Sequence, residues 1–384
     1  MSKIEEMIKR LCPNGVERER LDSLLDYEQP TRYIVNSTEY DSKYSIPVLT
    51  AGQSFILGYT NEDDGIYKAS PQNPTIIFDD FTTGFHWVDF DFKVKSSAMK
   101  MLKLKESKKE NDFRYIYMAM KTIDYIPTNH TRHWISIYSK FEIPLPPPTI
   151  QREIVSVLDS FTTLIDRMKH EVELRKKQME YYREKLLLFD EHEAGFVKIK
   201  DLFDTKNGYT PSTKNPDFWT DKGIPWVKME DIRENGTVLS DSAKHITMSA
   251  IKGSKLFNAN SIILATSATI GIHALVKVPH LSNQRFTNIY PKKEYENKID
   301  MKYAYYYFFK IDRWCKEHVT LGNFAGVNMS DFYDYDFPVP PLSTQRSIVS
   351  TLDAFEQYIS KLERLITLRV KQYAYYREKL LTFE

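Results

Sequence analysis

Residues 144–189 read PLPPPTIQREIVSVLDSFTTLIDRMKHEVELRKKQMEYYREKLLLF, and residues 338–383 read PVPPLSTQRSIVSTLDAFEQYISKLERLITLRVKQYAYYREKLLTF. The two stretches align without a gap, Gln151 to Gln345 being a shift of 194 residues, and about half of their positions are identical. The identities include Arg152/Arg346, Leu158/Leu352, Asp159/Asp353, Phe161/Phe355 and the run Tyr181 to Leu187 against Tyr375 to Leu381. Chance does not produce such a match, and an internal repeat organises everything else in a chain.

Each copy opens on prolines that end whatever precedes them, and Thr149 and Ser343 follow at positions suited to capping a helix. No Pro or Gly then occurs until Gly195 in the first copy, or at all in the second. Apolar residues recur at alternating spacings of 4 and 3: Ile154, Leu158, Phe161, Ile165, Met168, Val172, then Met179, Tyr182, Leu186 and Phe189. The second copy gives Ile348, Leu352, Phe355, Ile359, Leu362, Ile366, then Tyr373, Tyr376, Leu380 and Phe383. This spacing predicts a coiled-coil seam in each copy. It is broken once per copy, by Arg175 and Arg369, and a polar seam residue fixes register at some cost in stability. Each helix would be ~60 Å long at 1.5 Å per residue. A lone seam needs a partner, and the copy in the same chain is the simplest. Antiparallel pairing would relate the two halves by a pseudo-twofold axis. The alternative is that the seams pack on other subunits or join copies of the chain.

The segments before each copy repeat more faintly. Arg20-Leu21, Leu24-Leu25-Asp26 and Ile46-Pro47 face Lys198-Ile199, Leu202-Phe203-Asp204 and Ile224-Pro225 at a shift of 178. Between these pairs and the helix repeat the shift grows from 178 to 194, so the second unit carries 16 extra residues inside its globular part. The chain reads as a globular domain over 1–143, a helix over 144–192, a second globular domain over 193–337 and a second helix over 338–384. Short apolar runs such as 75–78, 90–94, 261–265 and 286–290 predict strands, and 111–121 and 300–310 predict matched buried helices. The fold class expected is α+β, two α/β domains separated by two long antiparallel coiled-coil helices. Divergent domains on similar helices point to two related readings served by one mechanical part.

Composition bounds the function. The 384 residues carry 53 Lys+Arg against 52 Asp+Glu, with 42% hydrophobic and 27% charged residues, as in ordinary globular proteins. Cys12 and Cys315, two cysteines far apart, exclude a disulfide scaffold and fit a reducing compartment. The charged start predicts no secretory signal, and no apolar run predicts a membrane span. A net charge of +1 argues against an all-basic surface but leaves local basic grooves open. No phosphate loop, H-E-x-x-H, G-x-S-x-G, G-x-G-x-x-G or Cys/His cluster occurs. His130 and His133 form the only close histidine pair, better suited to packing or surface than to a metal. The expectation is a protein without catalysis or metal.

Polar-aromatic loops remain. Around residues 206–215 lie Tyr209, Thr210, Ser212 and Lys214, and Lys228, Asp231, Ser267, Thr269, Asn283, Gln284 and Arg285 fall just after apparent strands. The first domain offers Thr50, Gln53, Ser54, Tyr59 and Thr60, then Thr82, Thr83 and His86, with a lysine-rich stretch over 93–109. Arg, Lys, Asn and Gln suit base edges, and Ser, Thr and Lys suit phosphates. Singly, each residue is more simply solvated surface; only as loops do they make a candidate nucleic-acid site.

The P-L-P-P-P-x-x-Q-R-x-I-V-x-x-L-D-x-F block, repeated near the C-terminus across a divergent domain, resembles the specificity subunit of type I restriction–modification systems. Leu11-Cys12-Pro13-Asn14-Gly15-Val16-Glu17 also looks like that family's opening. The resemblance implies two target-recognition domains, each reading half of a bipartite site on double-stranded DNA. It implies paired helices that set the unread spacer. It further implies two methyltransferase subunits bringing S-adenosylmethionine, restriction subunits using ATP and Mg, no cofactor in this chain, and a cytoplasmic location. The rival reading is a coiled-coil scaffold whose globular domains bind protein or glycan.

Overall fold

The computed structural model describes residues 2–52, 54–128, 131–253, 255–320 and 325–383. Contacts divide it into two compact units, Met1–Lys169 with Arg364–Glu384, and His170–Glu363. Both long helices form, over Pro148–Leu186 and Leu342–Thr382. The division cuts each near its middle, giving one unit the start of the first helix and the end of the second, and the other unit the reverse. Inside each unit the helix segments therefore run antiparallel. In the first unit Phe161 lies against Tyr376 with ring centroids 5.6 Å apart; in the second Tyr182 stacks on Phe355, also at 5.6 Å. A shift of 194 carries one contact into the other. Ile154, Leu158, Ile165 and Leu380 are buried in the first unit, and Val172, Ile348, Leu352 and Ile359 in the second. Arg175 and Arg369 interrupt the seam identically, each guanidinium donating to a glutamine three residues on, Gln178 at 2.6 Å and Gln372 at 2.7 Å.

The helix starts differ from the sequence expectation. Thr149 and Ser343 sit inside the first turn rather than capping it. The carbonyl of Pro147 accepts from the backbone N–H of Ile150 at 2.8 Å, and that of Pro341 from Gln345 at 3.1 Å. Proline's fixed φ is already helical and its missing N–H costs nothing at a helix start, so the helix begins at Pro148 itself in the first copy.

In the first unit the strands Leu25–Glu28, Met99–Leu104, Thr75–Asp79 and Phe85–Val88 lie in that order in one sheet. Strand Thr75–Asp79 is buried on both faces: Ile76 and Phe78 pack with Tyr115, Ile116 and Ala119 of helix Phe113–Met120, while Ile77 packs with Leu49, Val88 and Phe92. A smaller sheet orders Ile56–Thr60, Ile46–Leu49 and Lys93–Val94. Only Lys93–Val94 of the expected 90–94 strand joins a ladder.

The second unit repeats this plan. Its main sheet orders Phe203–Asn207, Phe286–Pro291, Ser261–Ala265, His273–Val276 and Val238–Leu239. Ile262 and Leu264 face helix Met301–Glu317, and Ile263 and Ala265 face the opposite cluster with Val227 and Phe286. The smaller sheet orders Trp219–Thr220, His245–Ile246, Ile224–Val227 and Leu281–Ser282. The expected helix over 300–310 extends to Glu317, against eight residues in its counterpart, which takes up part of the 16-residue surplus.

A buried glutamine joins domain to long helix in both units. The Gln151 carboxamide accepts from the N–H of Asp112 at 2.7 Å and donates to Asn111 and to the Pro146 carbonyl, both at 2.8 Å. Gln345 accepts from Asp300 N–H at 2.8 Å and donates to the carbonyls of Lys298 at 2.9 Å and Pro340 at 2.8 Å. Asp112 and Asp300 are themselves the N-caps of the two buried domain helices.

Candidate nucleic-acid interface

In the second unit three loops converge at one end of the main sheet. A Cβ on Gly208 would stand 2.0 Å from the Ser282 carbonyl, so only glycine lets the two loops approach this closely. The next residue confirms the seam, Tyr209 N–H donating to Ser282 at 2.9 Å. Thr210 then donates to the Gln284 side chain at 2.6 Å. Asn283 accepts from Arg285 N–H at 2.9 Å, shaping the turn, and the Arg285 carbonyl accepts from Thr266 N–H at 3.2 Å. Ser267 bridges to Gly326. The structure thus brings together Tyr209, Thr210, Asn283, Gln284, Arg285 and Ser267 on adjacent loops. Thr210, Ser212, Lys214, Gln284 and Arg285 are exposed. Lys214 and Arg285 make no ion pair among the described residues.

Two lysines that the sequence reading passed over join this group. The ammonium groups of Lys252 and Lys255 lie 5.7 and 5.3 Å from the centre of the Tyr209 ring. They follow no strand and belong to no motif, so only folding shows where they sit. Tyr209 itself is partly structural: its hydroxyl donates to the Ala250 carbonyl at 2.5 Å and accepts from Lys252 N–H at 2.8 Å. Beneath the loops, Asn288 donates to Ser282 at 2.7 Å and to the Lys206 carbonyl at 3.1 Å, and its carbonyl faces His280 Nε2 at 3.0 Å. Burial pushes His280 down to about 4, so the ring is neutral near pH 7.

Other residues leave the site. Asp231 is fully buried and accepts from Lys228 N–H at 2.8 Å and Ala243 N–H at 2.7 Å. Lys228 is half-buried, its ammonium 3.6 Å from Glu230. Both terminate strand Ile224–Val227 and start the helix Met229–Asn235, so their polarity serves the turn.

The first unit brings together fewer of its candidates. A Cβ on Gly84 would stand 2.4 Å from the Ala51 carbonyl, so the loop after Leu49 lies against the Thr82 loop. His86 reaches the Gly52 carbonyl at 3.1 Å, and Thr50 shapes the turn by accepting from Gly52 N–H at 3.4 Å. Gln53 lies outside the described residues, as does His130 of the histidine pair. Thr82 is exposed. Thr83, by contrast, is 8% exposed with φ of 57° and donates to the Thr82 carbonyl at 2.7 Å, and Thr60 is 1% exposed and accepts from Glu62 N–H. Neither side chain can reach a base. Thr60 pairs with Ile46 and Leu49 with Ile56, so Tyr59 and Thr60 stand at the far end of the hairpin, on the order of 10 Å from Thr50 at about 3.3 Å per residue.

The lysine stretch over 93–109 is a basic surface only in part, for Lys95 and Lys109 are exposed while others turn inward. Lys93 is 1% exposed beside Glu62 at 2.7 Å, and Lys100 is fully buried beside Asp80 at 3.1 Å. Lys108 is held by Glu19 at 2.7 Å. Lys93 and Lys100 lie on strands buried on both faces, each ammonium matched by a carboxylate from elsewhere in the chain, which the run of letters does not show. Among the described residues no three His, Cys, Asp or Glu side chains are grouped to hold a metal, and no helix is long and apolar enough to cross a membrane.

One domain pattern, the type I restriction modification DNA specificity domain, matches residues 13–174 and again 191–372. The chain belongs to that family. Within the type I specificity family it is 40% identical to the EcoR124I/EcoR124II specificity subunit of Escherichia coli, over 100% of this chain and 98% of the relative. A putative type I specificity subunit of Haemophilus influenzae is 27% identical over 98% and 97%. Among solved structures, the type I system S subunit of M. genitalium superposes with a TM-score of 0.57 at 15% identity, covering 96% of this chain and 97% of that one. A chain solved in work on assembly and conformational transition of the type I system gives 0.56 at 14% identity, over 96% and 98%. These two likenesses establish the shared fold. The domain match and the 40% identical relative bear out the family resemblance carried by the repeated proline–glutamine block.

Proposed function

We propose that each α+β domain reads one half of a bipartite duplex DNA site, with the helix pair fixing the unread spacer and docking two methyltransferase subunits and the restriction subunits. The observation that carries this reading is a pair of matched domains whose loops differ in chemistry above helices and junctions that are alike. Thr210, Gln284 and Arg285 supply base-edge donors and acceptors in the second domain, each good bidentate contact being worth about 1–3 kcal/mol; Lys214, Lys252 and Lys255 suit the flanking phosphates. The polar loops around Thr50 and Thr82 are the counterpart in the first domain. Linking two half-site readers makes the second binding event intramolecular, so DNA of the wrong spacing loses the gain. Methylation and cleavage belong to the partners, with S-adenosylmethionine on the methyltransferase and ATP and Mg on the restriction subunits, and none held by this chain. Such a complex works in the cytoplasm. The test exchanges residues 193–337 for the corresponding segment of another family member and maps methylated adenines across the host genome. One half of the site should change and the other stay; a change in both halves refutes independent reading.

A further inference from the structure

The duplication lets one domain be read against the other. In the second, strand Ile224–Val227 runs parallel to Leu281–Ser282, with Val227 beside Ser282; in the first, strand Ile46–Leu49 runs parallel to Lys93–Val94, with Leu49 beside Val94. The backbone bonds that build the polar corner of the second domain then find partners in the first. Tyr209 N–H donates to the Ser282 carbonyl at 2.9 Å, and Val35 N–H to the Val94 carbonyl at 3.0 Å. Asn283 N–H donates to Val227 at 2.9 Å, and Lys95 N–H to Leu49 at 3.0 Å. Thr266 N–H donates to Arg285 at 3.2 Å, and Asp80 N–H to Ala98 at 2.9 Å. The turn matches as well: Arg285 N–H donates to the Asn283 side chain at 2.9 Å, and Ala98 N–H to the Ser96 hydroxyl at 3.3 Å.

The loop Lys95–Ala98 therefore stands where Asn283–Arg285 stands, with one residue more. Ala98 takes the place of Arg285 and Ser97 that of Gln284, so this loop of the first domain carries neither a guanidinium nor a carboxamide. The added residue is Lys95. It is exposed together with Ser96 and Ser97. It makes no ion pair among the described residues, and its ammonium group donates to the Tyr40 hydroxyl at 3.4 Å. The loop is bonded on one side to the strand that leads into Thr50 and on the other to the turn that carries Thr82. Lys95 thus lies within the polar surface of the first domain, whereas Lys93, two residues earlier, is buried against Glu62.

We propose that Lys95 is the base-reading residue of this loop, holding in the first domain the place that Gln284 and Arg285 hold in the second, and that the base it reads is a guanine. The proposal rests on the DNA reading proposed above and gives it a residue and a base. Guanine alone presents two acceptors, O6 and N7, and no donor in the major groove, which is the edge an ammonium group fits. The methyltransferase-bound complex is titrated against duplexes carrying each single-base replacement in the half-site that persists when residues 193–337 are exchanged. Lys95→Ala should lower the preference for guanine at one position of that half by about ten- to a hundredfold. The other half should stay as selective as in wild type, and circular dichroism and the urea midpoint should not move. Lys95→Arg should keep the preference, because a guanidinium makes the same pair of bonds. Lys140→Ala, an exposed lysine in the turn before strand Glu142–Pro144, should match wild type throughout. A Lys95→Ala complex that binds every duplex more weakly by the same factor, with the salt slope reduced by about one, makes Lys95 a phosphate ligand and overturns the proposal. Selectivity that is unchanged, or relaxed in the other half or at a base other than guanine, overturns it too and leaves the DNA reading standing. An exchange of residues 193–337 that alters both halves overturns the two together.

Discussion

Asp80 and Lys100 meet at 3.1 Å with both side chains fully buried, and Lys100 also reaches Gln29 at 3.4 Å. The equivalent residues of the second unit are Thr266, Thr287 and Asn207, and they too hydrogen-bond: Thr266 to Thr287 at 3.2 Å and Thr287 to Asn207 at 2.9 Å. One site under the loops is thus filled by an ion pair in one domain and by neutral hydroxyls in the other. Removing one member of a buried pair strands the other charge, at a cost of about 3–5 kcal/mol, while an uncharged replacement of both can be nearly neutral. Asp80→Thr and Lys100→Thr should therefore each lower the urea midpoint sharply, and the double variant should recover much of the loss; a double variant as weak as the sum of the singles would contradict this. His280 gives a pH prediction. Its folded value of about 4 lies below the ordinary ~6.5 of the unfolded chain, so the unfolded state binds more protons between them. Stability from the neutral ring is complete above about pH 6.5 and is lost as pH falls towards 4, on the order of 3 kcal/mol in all. The difference in urea midpoint between wild type and His280→Gln should accordingly shrink from pH 7 to pH 4.5. The same scale shows what letters conceal: Thr60 and Thr83 have the chemistry of phosphate ligands, and burial alone disqualifies them.

At the scale of elements, the long helices were legible because a seam of period 3.5 is a local pattern, and its burial at Leu158 and Leu352 follows from it. Leu158→Asp or Leu352→Asp should unfold the helix pair in the unit concerned, since a carboxylate would be buried without a partner; circular dichroism at 222 nm and size-exclusion of the complex report it. The junction glutamines were visible only as identities. Their function depends on three polar groups brought from separate segments, including the caps of the buried helices, so spacing could not reveal it. Gln345→Ala leaves Asp300 N–H and the carbonyls of Lys298 and Pro340 without their partner, and unmet buried groups cost about 1–3 kcal/mol each. A loss of at least ~3 kcal/mol in the urea-derived stability is expected, with a similar loss for Gln151→Ala. The domain helices were found at their starts, where Asp112 and Asp300 cap them, but Met301–Glu317 runs past the end expected at residue 310.

For the whole molecule, phosphate contacts release counterions, so duplex binding by the assembled complex should fall steeply with salt, and Lys214→Ala or Lys252→Ala should each reduce the log–log slope by about one without altering which sequence is read. Arg285→Ala should instead relax discrimination at one position of one half-site, by about 1–3 kcal/mol in competition binding. The sequence by itself determined the duplication, the two long helices, the α+β class of the intervening domains and the family, since repeats, heptads and proline–glutamine blocks are written in local order. Tertiary structure decided which loops meet. Gly208 against Ser282 and Gly84 against Ala51 are approaches between distant segments, and the inward turn of Lys93 and Lys100 depends on carboxylates elsewhere in the chain. A periodicity survives in one dimension because it belongs to a single element. A binding surface does not, because its members share only a place in space.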